Sequence, residues 1–119
     1  DLAWHRMKVD GGSTLMEIHP DVQFYDYTKV LNYLDHDLKN YHVTFSDSGA
    51  NDGDIKQAMK QGHNVAVVFK NALPKKYKNK KVINGDLHDL RFKDPSGVIV
   101  GLIAKGKARH DNNNKFVRV

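Results

Sequence analysis

Four groups of polar side chains each follow directly on a run of apolar and β-branched residues. Asp26 and Lys29 close the run from Val22 to Thr28. Ser46, Asp47, Ser48, Asn51 and Asp52 follow Tyr41 to Phe45. Lys70 follows Val65 to Phe69, and Lys105, Lys107 and Arg109 follow Val98 to Ala104. If these runs are parallel strands, their carboxyl ends bring the four groups to one rim, where ligands of parallel α/β proteins bind. Carboxylates, hydroxyls and ammonium groups together suit a phosphate- or carboxylate-bearing ligand, or a hard metal ion. The same residues also have plain structural uses. Ser48, Asn51 and Asp52 could cap the helix that follows, and Asp26 with Lys29 could form an ordinary ion pair.

A second candidate is the loop Gly85 to Arg91. Asp86, His88 and Asp89 offer oxygen and nitrogen donors that suit Mg, Mn or Zn, but their spacing matches no strict metal motif. Asp89 and Arg91 could instead pair and pin the loop. His42 lies among apolar strand neighbours, so a hydrogen-bonded core histidine is expected there rather than a base. No phosphate-loop, dinucleotide, zinc-protease or nucleophile-elbow motif occurs.

The elements that must hold these residues can be read in order. Ser13 or Thr14 should cap a short helix with Leu15, Met16 and Ile18 on its apolar side, ended by Pro20. The first strand covers Val22 to Thr28, and a short helix or turn follows over Lys29 to His36. The second strand is Tyr41 to Ser46. A helix from Gly53 to Lys60 faces Ile55, Ala58 and Met59 inward and closes at Gln61-Gly62. The third strand is Val65 to Phe69. Lys75, Lys76, Lys78, Lys80 and Lys81 then surround Tyr77 in a basic segment, with a short strand at Val82-Ile83. The fourth strand, Val98 to Ala104, is apolar on both faces, as a strand buried on both sides should be. Phe116 to Val119 could pair at an edge. The lone Trp4 is expected to pack on the core. The sum is an α/β fold: an open, mostly parallel sheet of about four to five strands built from βα units, a partial TIM-barrel-like fragment.

The 119 residues make one domain, with 39% apolar content. There is no cysteine, which excludes disulfides, thiolate metal sites and a cysteine nucleophile. No apolar run reaches the roughly 18 residues of a membrane span, so no membrane partner and a cytoplasmic location are expected. The chain starts at Asp1 without an initiator methionine and reads as the C-terminal part of a longer protein. Its net charge of +5 is unevenly spread: residues 1–69 carry six Lys/Arg against ten Asp/Glu, residues 70–119 thirteen against four. A basic half points to an anionic partner, nucleic acid or nucleotide first, although a solvated lysine-rich surface has the same composition.

Read together, FYDYTK (24–29), YHVTFSDSGANDGDI (41–55), NVAVVF (64–69), NGDLHDLRFKDPSGVIVGLIAKGKAR (84–109) and the closing FVRV resemble a family of uncharacterised proteins carried by bacteriophages and some plasmids. The resemblance covers essentially the whole chain and is most specific over 84–109. It implies a longer protein with an upstream cysteine cluster, laid out like a radical S-adenosylmethionine-type partial barrel. In that layout an iron–sulfur cluster and S-adenosylmethionine belong to the full-length protein and not to this cysteine-free segment. Asp26, Lys29, Ser46, Ser48, Asn51, Asp52, Asp86, Asp89, Arg91 and Lys105 fall in the shared segments without an assigned role. Three functions follow as expectations: a binder of nucleic acid or a phosphate-bearing ligand, the substrate-face half of such an enzyme, or an interaction module. In the last, an open sheet edge would meet an upstream domain or a second copy.

Overall fold

The computed structural model describes residues 3–87, 90–104 and 117–118 of the chain. Trp4–Arg6 forms a single 3-10 turn ahead of a small hairpin, β1 (Lys8–Asp10) and β2 (Ser13–Thr14). Helix α1 (Leu15–Ile18) begins at Thr14 with a reciprocal cap. The Glu17 amide donates to the Thr14 hydroxyl at 3.3 Å, and the Thr14 amide donates to the Glu17 carboxylate at 2.9 Å. Met16 is buried, whereas Ile18 is exposed. The expected apolar side of this helix therefore shrinks, because one turn cannot present both to the core.

The main sheet is assembled from β3 (Phe24–Thr28), β4 (Tyr41–Ser46), β5 (Val65–Phe69), β6 (Lys76–Tyr77), β7 (Lys80–Asn84), β8 (Ile99–Ile103) and β9 (Val117–Arg118). Its order is β3-β4-β5-β8-β7-β6, with β9 beside β5. Every pairing is parallel except the β6–β7 hairpin. The mostly parallel α/β sheet expected from the sequence is present. Its construction from regular βα units is not. Among the described residues, only α2 (Asp52–Lys60) is a full helix between strands. The β3–β4 connection holds a 3-10 turn, Leu31–Leu34, and β7–β8 holds another, Arg91–Lys93. A barrel-type repeat would add each strand beside the last, yet β8 inserts between β5 and the earlier β7.

Side-chain alternation divides the sheet into two faces. Tyr41, Val43, Phe45, Val65, Val67 and Phe69 join Ile55 and Ala58 of α2 in the main core. The β6–β7 hairpin lies on this side too, with Tyr77 edge-on to Phe69 at 5.3 Å between ring centroids. The opposite face carries His42, Thr44, Ser46, Ala66 and Val68. Residues 90–97 fold back over it, placing Phe92 against Tyr25 at 5.6 Å. Central β8 is packed from both sides, and Ile99 and Val100 are fully buried. Gly101 interrupts its apolar run for lack of room. A Cβ there would lie 2.8 Å from Leu73 Cδ2 and Val82 Cγ1.

The basic segment is a tight hairpin. Lys78 and Asn79 take φ of 50° and 64°, as the turn of a two-residue hairpin demands, and Lys76 faces Lys81 across it. No helix among the described residues is long and apolar enough to cross a membrane.

Candidate functional site

Parallel pairing brings the carboxyl ends of β3, β4, β5, β7 and β8 to one edge. There a cavity of about 340 Å³ opens on the face opposite α2. Ala66, Val68 and Leu102 supply apolar walls, with Gly85 beside them. Around these stand Tyr27 of β3 and Lys29 just past it, Ser46 at the end of β4 and Asp47 just past it, and Asp86 beyond β7. Ring, ammonium, hydroxyl and two carboxylates thus converge over an apolar base.

The loop after β4 is held by its own side chains. The Gly49 amide donates to Asp47 Oδ1 at 2.7 Å, and the Ala50 amide to the Ser48 hydroxyl at 3.2 Å. Asn51 accepts from the Ser48 amide and donates to the Ser46 carbonyl. Asn51 occupies the cap position of α2, yet its side chain makes no cap bond because it is engaged in this loop. The expected capping role of Asn51 is corrected accordingly: it and Ser48 shape the loop that presents Ser46 and Asp47. Asp86 is anchored similarly, its Oδ2 accepting the Ile103 amide at 2.9 Å.

The remaining sequence candidates disperse. Asp26 has the opposite alternation phase to Tyr27 and lies with Trp4, Phe24 and Tyr41 in a separate cavity. Lys70 follows β5 directly without lining the rim cavity. Asp52 is exposed on α2, 3.7 Å from Lys78. Lys75, Lys76, Lys78, Lys80 and Lys81 belong to the hairpin on the α2 side, away from the cavity. His88, Asp89, Lys105, Lys107 and Arg109 lie outside the described residues. The expected Asp89–Arg91 pair therefore falls outside the described residues. Arg91 itself is fully buried, with its Nε 3.4 Å from Asp94 Oδ2. It packs beneath the rim: a Cβ added at Gly85 would stand 2.6 Å from Arg91 Nη1.

The amino-terminal end of the sheet has a different character. His36, His42 and His63 line a cavity of about 280 Å³. Burial holds His36 below its ordinary value of 6.5, with neighbouring His5, His42 and His63 adding to the effect and Asp37 opposing it. Burial likewise lowers His42, with Asp94 opposing. His42 is not the hydrogen-bonded core residue expected: its buried Nε2 has no hydrogen-bond partner. No three metal-ligating side chains converge among the described residues. The sequence missed Tyr27, Gly85 and Leu102 as cavity residues. Strand alternation counted from Ser46 could have flagged Tyr27, through its register with Thr44, two residues before Ser46 on the same face.

No curated protein and no solved structure matches the chain. The model of the family described as Gene product 88, a phage-type family, matches residues 1–118, and the chain belongs to that family.

Proposed function

We propose that the protein binds a nucleotide, free or as one unit of a nucleic acid, in the cavity at the carboxyl ends of its parallel strands. One observation carries this: Tyr27, Lys29, Ser46, Asp47 and Asp86 surround the same apolar base. Each part of a nucleotide has a matching group. The Tyr27 ring offers a stacking face for the base, worth about 1–3 kcal/mol. Asp47 and Asp86 can accept from ribose hydroxyls, while Lys29 and Ser46 can meet the phosphate. The volume lies within the range of about 300–1,000 Å³ usual for small-molecule sites. The hairpin lysines lie away from the cavity and add no contact to it among the described residues.

The enzyme reading implied by the resemblance needs thiolates for an iron–sulfur cluster. This chain has no cysteine, so its residues cannot hold that group, and no chemical step is assigned through it.

Fluorescence polarisation with a labelled mononucleotide and a labelled single-stranded oligonucleotide tests the proposal. Saturable binding should weaken about tenfold or more in Tyr27→Ala and in Lys29→Ala, and salt should weaken it only as one phosphate contact requires. Absence of binding by the folded protein at about 100 μM, or full binding by both variants, refutes it.

A further inference from the structure

Beside β3, away from the nucleotide cavity, the rings of Trp4, Phe24 and Tyr41 line a second cavity of about 310 Å³ around the Asp26 carboxylate, while the Tyr25 ring turns to the opposite face against Phe92. Leu15 and Met16 complete its wall. Two donors fix the carboxylate: the Tyr27 amide reaches Oδ1 at 2.8 Å, and the Tyr41 hydroxyl also donates to it. Burial first, then the Asp26 charge and this bond, push Tyr41 up to about 12, so it stays a donor at neutral pH. A carboxylate has about four lone-pair sites, so acceptor capacity is left over. Among the described residues no Lys, Arg or His forms an ion pair with Asp26. His5 and His36 pack near the Tyr41 ring, at 6.2 and 5.0 Å between ring centroids. Both are lowered from 6.5, chiefly by burial, and stay neutral near pH 7. Asp26 is thus the charged group among the residues lining a box of aromatic rings.

We propose that this cavity is a binding site for a small organic ammonium ion, held by the aromatic rings of Trp4, Phe24 and Tyr41 and by the Asp26 carboxylate. Ring faces carry negative quadrupole density, and a cation within about 6 Å of a ring centroid is attracted to it, more strongly where water is displaced. A neutral molecule of equal shape would recover the apolar contact but leave the half-buried carboxylate without a counter-charge. The site shares no lining residue with the nucleotide cavity, so either can stand without the other.

The test uses the fluorescence of Trp4, the single tryptophan of the chain. The probes are choline and its neutral isostere with carbon in place of the quaternary nitrogen. Choline should perturb the emission saturably with a Kd of about 1 mM or below, and the isostere should bind about tenfold more weakly. Asp26→Asn should remove that preference. Phe24→Leu, at a half-buried ring of the cavity wall, should keep the fold and weaken choline several-fold. No saturable response to choline, equal affinity for the isostere, or undiminished preference in folded Asp26→Asn each overturns the proposal.

Discussion

Replacing Asp94 with Asn should be among the most damaging single changes in this protein. The side chains of Arg91 and Asp94 are 0% and 2% exposed, and their charged atoms approach to 3.4 Å. Asn keeps the shape of Asp but removes the Asp94 charge from beside the Arg91 guanidinium, a loss of about 3–5 kcal/mol for a buried pair. A domain of this size has a total stability of about 5–15 kcal/mol. Each lost kcal/mol lowers Tm by about 3–5 °C at this length, so a fall of about 10–20 °C is expected. Urea unfolding followed by circular dichroism, with Trp4 emission as an independent probe, measures this directly. The double variant Arg91→Met, Asp94→Leu supplies the second half of the test. Removing both charges and keeping the volume should restore most of the loss, since a buried pair gains little over well-packed apolar groups. If Asp94→Asn stays within about 1 kcal/mol of the natural protein, or the double variant is no more stable than the single, the account of this ion pair is wrong.

Three further outcomes follow from the geometry. Gly85→Ala would place a methyl 2.6 Å from Arg91 Nη1 and Val100 Cγ1 and 2.8 Å from Leu102 Cδ2. It should cost about 1–3 kcal/mol in urea unfolding and narrow the nucleotide cavity, weakening nucleotide binding in the same samples. Thr14→Ala removes a buried cap hydroxyl from α1 and should cost about 1 kcal/mol, read from the shift of the urea midpoint. Stability should also fall as pH drops below 6.5. His5, His36 and His42 are all lowered in the folded protein, so below that value the unfolded chain takes up more protons and is favoured. Urea midpoints at about pH 7.5 and pH 5.5 check the sign, and a His36→Leu variant should show a shallower slope.

Much of this fold is written in short-range patterns. Tyr41 to Ser46 and Val65 to Phe69 are strands at the bounds their composition suggests, and the helix over 52–60 turns Ile55 and Ala58 inward as its spacing requires. The Thr14 cap and the stop at Gln61-Gly62 were equally legible, because caps act within one turn. The parallel direction followed from the strand–helix–strand order, and it carried the location of the candidate site to the carboxyl edge. The regular βα repeat was over-read: residues 29–40 are too short and too rich in Asp and Asn to sustain a helix.

The sequence alone thus determined the parallel core strands β3, β4, β5 and β8 and the edge to which Lys29 and Ser46 come, whereas the β1–β2 hairpin, strand β6 and the arrival of Asp86 at that edge were not read from it. Tertiary structure alone decided that β8 enters between β5 and β7. It also decided that Tyr27 faces the rim cavity while Asp26 faces the aromatic one, and that Arg91 is buried against Asp94. The physical reason is that strand alternation has a period of two but no absolute phase. Which of two adjacent side chains meets a given cavity depends on what covers each face, and residues 90–97 and the Trp4 segment reach those faces from far along the chain.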